Sequence, residues 1–475
     1  MPAQGADAFF GHPIHFEVTF LNAEISIQHL SFEYDEHKPL LADLSLTFAP
    51  GAFSLLIGPT GCGKSTLLKI MAGLYPKYGG KLTQGQVDLG GLSQAMMFQD
   101  AGEQFTMATP REEIIFSLEN LGMKQEQYES RLQRATEFAQ IGPLLDQKIA
   151  TMSGGEQQRV ALAVLVAMDV DLLLLDEPFA SVDPKARTFL VEKLVQLKEE
   201  GKTIILTDHV FTDYLGKVDQ LYRFAGQTVT RLSAKERDAV LAEDARVPLT
   251  FALPQANAPA AFVLSGVLLK TGRLLLKQDE LKLYKGKVTL LTGANGVGKT
   301  SLFRALTQLL PYSGSICWEG REVAKQPART YFLHVAQVFQ KATDQFIQIT
   351  VKDELAISKK LRKNDYFSDE RIKQALADLD LDSHLDQVVY SLSGGQKKKL
   401  QILLMLISGH EVLLIDEPLS GLDRQSIKQV VKLMKDSQAA MGQTIIVISH
   451  QFHGLSDWCD YHLRLDQQRL QYVTN

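Results

Sequence analysis

The chain has 475 residues, 45% hydrophobic and 22% charged, so it is long enough for more than one domain, and its composition is ordinary for a soluble globular protein. A net charge of −5 and a pI of about 6.2 give no overall electrostatic footprint for nucleic acid. Three scattered cysteines (Cys62, Cys317, Cys459) without metal-ligand spacing fit a reducing cytosol, the first 24 residues lack the pattern of a signal peptide, and no run approaches the ~20 apolar residues of a membrane helix. Any role at a membrane therefore calls on other chains to span the bilayer. The basic run Lys397-Lys398-Lys399 reads as a solvated helix face.

Residues 1–23 read as a leader, because the recognisable pattern starts near Glu24. Ile25, Ile27, Leu30 and Phe32 alternate with polar residues as in a strand, and Leu44–Phe48 alternates again before the Pro50-Gly51 turn. Tyr34 lies in a polar loop, where it is either a strand-end core aromatic or a platform for an adenine ring. The apolar run Phe53–Ile57 leads into Gly58-Pro-Thr-Gly61-Cys-Gly63-Lys64-Ser65-Thr66, and a helix is predicted over Thr66–Gly73. This G-x-x-x-x-G-K-S segment, between a strand and a helix, is a phosphate-binding loop (P-loop). Its glycines let backbone N–H groups turn inward around phosphate oxygens, Lys64 reaches the β- and γ-phosphates, and the Ser65 hydroxyl holds Mg²⁺.

Gln99 follows the apolar Met96-Met97-Phe98 at a strand end, where an amide can ligate Mg²⁺. From Arg111 to about Lys148 the pattern is helical, interrupted at Gly142-Pro143. Leu172–Leu175 is a buried strand that delivers Asp176 and Glu177 at its C-terminal edge, where open α/β sheets bind ligands. Asp176 is placed to hold Mg²⁺ through its water shell and Glu177 to polarise an attacking water. Ile204–Asp208 is one more buried strand, ending at His209, a candidate γ-phosphate contact. Residues 226–261 then change character, with charged Lys235–Arg246 followed by prolines among alanines, as in a tail helix and a short linker.

The second half repeats each element in order. Val288–Thr292 leads into Gly293-Ala-Asn-Gly296-Val-Gly298-Lys299-Thr300-Ser301, and Gln340 echoes Gln99. Ser393-Gly394-Gly395-Gln396 echoes Ser153-Gly154-Gly155-Glu156, while Asp416, Glu417, Asp423 and His450 echo Asp176, Glu177, Asp183 and His209. Two copies at a nearly fixed offset, 235 at the P-loops and 241 at the histidines, mark an internal duplication.

The assembled set resembles two ATP-binding-cassette (ABC) ATPase domains fused head to tail, over residues of about 24–225 and 262–475. The resemblance implies an α/β fold of two P-loop NTPase domains, each a mixed sheet core with a helical insert, divided as leader 1–23, first domain 24–249, linker 250–262 and second domain 263–475. It implies ATP and Mg²⁺ as cofactors, bound by Tyr34, Gly58, Gly61, Gly63, Lys64, Ser65, Thr66 and Gln99 and by Gly293, Gly296, Gly298, Lys299, Thr300, Ser301 and Gln340. The metal is expected at Ser65, Gln99, Asp176, Thr300, Gln340 and Asp416, and catalysis at Glu177, His209, Glu417 and His450. In that family each P-loop faces the Ser-Gly-Gly helix of the other cassette, so Ser153, Gly154, Gly155 and Glu156 close on the ATP of Lys299, and Ser393, Gly394, Gly395 and Gln396 on that of Lys64.

A narrower resemblance follows each glutamine. Gln99-Asp-Ala-Gly-Glu-Gln104-Phe105 and Gln340-Lys-Ala-Thr-Asp-Gln345-Phe346 are similar to ATPases of energy-coupling-factor importers of vitamins and metal ions, with fused pairs assigned to thiamine or its pyrimidine precursor. This implies a peripheral protein on the cytoplasmic face of the cell membrane, an integral-membrane coupling subunit docked at Gln104/Phe105 and Gln345/Phe346, a separate membrane substrate-binding subunit, and no nucleic acid. The competing classes fit less well. A tandem-cassette translation factor on ribosomes uses a long charged helical linker, which residues 226–261 do not supply; a chromosome ATPase needs coiled-coil or zinc insertions. The motor of an exporter or sugar importer is a further alternative, the sugar type favouring a degenerate second cassette. Departures from the family pattern are Leu269 at the offset position of Tyr34, Glu156 against Gln396, and Lys399 in place of the arginine seen at Arg159.

Overall fold

The computed structural model describes residues 24–34, 39–99, 101–179, 182–242, 250–255, 257–363, 365–450 and 454–474. The expected leader 1–23 lies outside them, as does Asp100 in the segment after Gln99.

Runs of consecutive apolar residues make strands buried at every position: Phe53–Ile57, Leu172–Asp176 and Thr203–Thr207 in the first half, and Val288–Thr292, Val412–Asp416 and Thr444–Ile448 in the second. Such strands need cover on both faces, which a parallel sheet flanked by helices supplies. The first half orders Gln94–Met97, Leu172–Asp176, Thr203–Thr207, Phe53–Ile57, Gln220–Ala225 and Thr228–Arg231 in a six-stranded sheet, parallel except for its last pair. The second half repeats that order with Val335–Val338, Val412–Asp416, Thr444–Ile448, Val288–Thr292, Tyr461–Asp466 and Arg469–Val473. In both sheets the strand that leads to the P-loop lies inside, next to the strand that ends at the histidine.

The alternating segments form smaller antiparallel sheets. Ile25–Glu33 pairs with Pro39–Phe48 and Lys81–Asp88, and Ala260–Thr271 pairs with Arg273–Tyr284 and Ser313–Trp318. The helical inserts are Pro110–Asn120 with Tyr128–Ala139, and Val351–Leu361 with Asp369–Asp378. Both helices of the first insert pack against Gly154–Met168, and Val351–Leu361 of the second packs against Gly394–Ile407, the helices that follow the Ser-Gly-Gly turns. Each half is thus an α/β domain with a mixed sheet and a helical insert.

Two expectations need adjusting. The helix after the first P-loop spans Lys64–Met71, starting two residues early because Gly63 already supplies the left-handed turn at its N-cap (φ 99°). The segment expected as a linker is partly structured, because Phe251, Ala261 and Phe262 are buried. Phe251 is only 5% exposed, its ring centroid lies 5.1 Å from that of His462, its N–H donates to Thr474 O at 2.9 Å, and the strand Ala260–Thr271 begins inside the segment. No described helix is long and apolar enough to cross a membrane.

Candidate active site

Each P-loop joins a buried strand to a helix N-terminus whose first N–H groups have no partner within the helix. A Cβ on Gly63 would come within 2.6 Å of Leu41 Cδ2, so glycine is required at this left-handed position. The lysines are buried and fold back over their loops. Lys64 Nζ donates to Gly58 O (2.8 Å) and Pro59 O (3.0 Å), and Lys299 Nζ to Gly293 O (2.7 Å) and Ala294 O (3.0 Å). Ser65 Oγ donates to Asp176 Oδ1 at 2.8 Å, and Thr300 Oγ1 to Asp416 Oδ2 at 2.7 Å. Burial raises both aspartates above the ordinary carboxylate range, against the hydroxyls that donate to them.

The neighbouring glutamates leave the sheet edge in a left-handed conformation, with φ 44° at Glu177 and φ 48° at Glu417. That conformation costs a non-glycine residue about 1–3 kcal/mol and persists where the surroundings fix it. Here the N–H of Glu177 donates to Thr207 O at 3.1 Å, and that of Glu417 to Ile448 O at 2.9 Å. The Glu177 carboxylate lies between two partners: its Oε1 is 2.8 Å from His209 Nε2 and its Oε2 accepts from Gln99 Nε2 at 2.9 Å. The second site is arranged differently. His450 Nε2 is 3.6 Å from Glu417 Oε1 but 2.9 Å from Asn295 Oδ1 and 3.2 Å from Lys299 Nζ. Among the described residues Gln340 makes no bond to Glu417 that matches the one from Gln99. Burial, then the charge of Asp416, pushes Glu417 up to about 8, and burial, then Lys299, brings His450 down to about 4.

The two halves meet across these sites. Asp423 caps its own helix, its Oδ1 accepting from Ser426 N at 2.8 Å, while its Oδ2 accepts from Thr60 N in the first P-loop at 2.7 Å. Asp183 does the same with Ala186 N (3.0 Å) and with Asn295 N in the second P-loop (3.3 Å). A methyl on Gly395 would come within 3.3 Å of Thr60 Cγ2, so the second Ser-Gly-Gly turn abuts the first P-loop. A methyl on Gly155 would instead meet Ala186 and Val182 of its own half. The first composite site is therefore the more tightly closed of the two.

The family model described as ABC transporter matches residues 41–180 and again 276–420, more than half of the chain. The chain belongs to the ABC transporter family. It is 28% identical to a Bacillus subtilis protein named, provisionally, as the HMP/thiamine import ATP-binding protein YkoD, over 94% of this chain and 91% of that one. It is 30% identical to a provisionally named ABC transporter ATP-binding protein of Treponema denticola, over 92% and 94%. Among solved structures it is similar to the archaeal ribosome recycling factor aABCE1 in complex with ribosomal stalk protein aP1 (TM-score 0.66, 19% identity, 93% of this chain and 89% of that one). It is also similar to ABCE1 in a ribosome-bound archaeal complex with Pelota (TM-score 0.71, 18% identity, 94% and 78%). At that identity the likeness is one of fold. The chain is a tandem-cassette ABC ATPase.

Several residues of the cassettes have roles the sequence did not show. Glu156 and Gln396 complete capping boxes, accepting from Ser153 N at 2.7 Å and Ser393 N at 2.9 Å, so their difference leaves one local job intact. Arg159 donates to the carbonyls of Ala139 and Gln140, and Lys399 Nζ to Leu379 O at 3.1 Å, so each cation satisfies the C-terminus of the preceding helix. Lys398 and Lys399 are buried rather than solvated. Lys398 Nζ donates to Gln340 O at 2.6 Å, and burial brings it down to about 8. Gln104 and Gln345 accept from Phe98 N (3.0 Å) and Phe339 N (3.2 Å). Buried Glu113 accepts from Thr106 and Met107 N, and buried Glu354 from Ile347 and Gln348 N, shaping the segment after each glutamine. The recurrence of a glutamate at this place in both halves was the signal available.

Tyr34 is half exposed, at 49%, with its ring edge-on to Phe32 (5.1 Å) and Tyr75 (5.7 Å) and its hydroxyl 2.9 Å from Thr66 Oγ1 on the P-loop helix. Leu269, the offset counterpart, is wholly buried within its sheet, pairing with Leu276. The reason is a shorter hairpin, which closes through Gly272 between Thr271 and Arg273, where the first hairpin runs from Glu33 to Pro39. The strand end therefore carries no aromatic, and Arg273 reaches the P-loop instead, donating to Gly296 O at 2.7 Å. Base stacking contributes ~1–3 kcal/mol, so Tyr34→Ala should weaken ATP binding about five- to 150-fold at the first site. Titration of Lys299→Ala and Lys64→Ala chains checks this. The first site should bind more tightly by a similar factor, and equal affinities would contradict the asymmetry.

Proposed function

We propose that this ATPase powers an importer of the energy-coupling-factor type, for a vitamin, vitamin precursor or metal ion. In this reading it works at the cytoplasmic face of the cell membrane with an integral-membrane coupling subunit and a separate membrane substrate-binding subunit. The observation that carries the reading is the segment after each family glutamine. Buried Glu113 and Glu354 shape Thr106–Met107 and Ile347–Gln348. In the second cassette Ile347 (71% exposed) and Ile349 (69% exposed) are followed by Thr350, which bridges to exposed Val388 near exposed Tyr390, and these apolar side chains suit a helix of a membrane protein. The whole-length likeness to a protein named for import supports the same reading.

In the catalytic cycle the P-loop N–H groups and lysines hold the phosphates, and Glu177 and Glu417 orient and polarise water. His209 and His450 contact the γ-phosphate, and the Ser-Gly-Gly turns close each site from the other cassette. The paired hard oxygens of Ser65 with Asp176 and of Thr300 with Asp416 fit Mg²⁺, which is held by one or two protein ligands together with phosphates and water. Gln99 and Gln340 complete this reading of the metal set. Mg²⁺, when bound, neutralises charge between the phosphates.

Glu177→Gln and Glu417→Gln should each cost ~10²–10⁴-fold in hydrolysis at the affected site. Single-turnover measurements that show no loss with either variant would refute the assignment. Affinity purification in mild detergent should bring down a polytopic membrane subunit and a small membrane substrate-binding protein. Recovery of ribosomes instead would overturn the importer reading.

A further inference from the structure

The helix that Asp183 caps, Pro184–Glu199, carries Arg187 one turn further on, and this arginine is buried (5% exposed). Its Nη1 lies 3.0 Å from Asp208 Oδ2, its Nε 3.1 Å from Asp213 Oδ2, and its Nη2 donates to Val210 O at 2.6 Å. The guanidinium also lies over the rings of Tyr214 (5.1 Å) and Phe179 (5.4 Å). Asp208 in turn accepts from the N–H of His209 (2.7 Å) and Val210 (3.0 Å) and from Tyr214 OH (2.7 Å). Burial opposes the arginine charge, but the adjacent Asp208 outweighs it and holds the pKa above the ordinary arginine value. The turn that presents His209 is therefore pinned on both sides by one ionic cluster.

The second cassette is an internal control. The four positions equivalent to Arg187, Asp208, Asp213 and Tyr214 hold Ile427, Ser449, Gly454 and Leu455. Ile427 and Leu455 are buried, and a methyl on Gly454 would touch Ile427 and Val431. An apolar contact fills the place of the ion cluster. The histidines differ in step: His209 is 2.8 Å from Glu177, whereas His450 is 3.6 Å from Glu417 and within bonding distance of Asn295 and Lys299.

We propose that Arg187, through Asp208, Asp213 and Tyr214, is a positioning residue that holds His209 on Glu177 at the first site, and that the apolar packing of Ile427 and Leu455 leaves His450 to rest on the second P-loop. A buried ionic cluster is directional and fixes one arrangement, whereas an apolar contact tolerates several. The inference rests on the roles of Glu177 and His209 proposed above.

The test reads hydrolysis at the first site alone, in a Glu417→Gln chain. Removing Arg187 singly leaves two buried carboxylates without their cation, so the main variant transplants the second cassette's own set, R187I/D208S/D213G/Y214L. Its kcat should fall on the order of 10- to 100-fold, the scale of a misplaced catalytic group, with KM for ATP changed less than about two-fold. Arg187→Lys, which keeps a cation beside Asp208, should recover most of the rate. In a Glu177→Gln chain, which reads the second site, the same four changes should alter kcat less than about two-fold. An unchanged first-site kcat, or an equal loss at both sites, would overturn the proposal, as would a quadruple variant that does not fold while Arg187→Lys does no better than Arg187→Met. Failure of Glu417→Gln or Glu177→Gln to silence its own site would instead sink the glutamate assignment on which the proposal rests.

Discussion

The arrangement depends on one exchanged interaction. An aspartate caps a helix in its own cassette with one carboxylate oxygen and accepts a backbone N–H from the opposite P-loop with the other. Asp423 does this with Ser426 and Thr60, and Asp183 with Ala186 and Asn295. Hydrogen bonds from Ser426 and Thr60 outweigh the burial of Asp423 and hold its carboxyl below the ordinary range, so it stays ionised. A charged cap shared between cassettes fixes their mutual position at the two P-loops. It also places the Ser-Gly-Gly turn of the second cassette against Thr60.

Much of this was legible in the sequence because it follows from local patterns. Strands buried on both faces announce themselves as unbroken apolar runs, and P-loops as glycines between a strand and a helix. The duplication made each weak motif testable against its copy, and that is why Gln99 and His209 could be placed at all. What was not legible depended on register and on distant partners. Extending a fixed offset to Leu269 failed because the hairpin between it and the P-loop is shorter, so the position facing the P-loop belongs to Arg273. The three-lysine run looked solvated, but Lys398 and Lys399 serve carbonyls 58 and 20 residues away. Nothing local encodes such partners.

The duplication has left two unequal sites. The first has an aromatic at its hairpin, a closed Gly395–Thr60 contact, and a carboxylate joined to both Gln99 and His209. In the second, the histidine lies with the P-loop lysine and asparagine, beside a glutamate whose carboxyl burial and then Asp416 push up to about 8. The same fold thus supports two arrangements of the same glutamate and histidine. The difference traces to the hairpin length, to Asn295 where the first P-loop has Thr60, and to the packing behind each histidine turn, while the lysine, glutamate and histidine are kept in both halves.

Whether each site is built from both cassettes is decided by Gly395→Asp and Gly155→Asp placed separately in a Glu417→Gln chain, with single-turnover hydrolysis as the readout. A carboxylate introduced at Gly395 would abut Thr60 and oppose the phosphates, so hydrolysis at the Lys64 site should be lost, whereas Gly155→Asp should leave it largely intact. Loss with Gly155→Asp and retention with Gly395→Asp would mean that each cassette completes its own site.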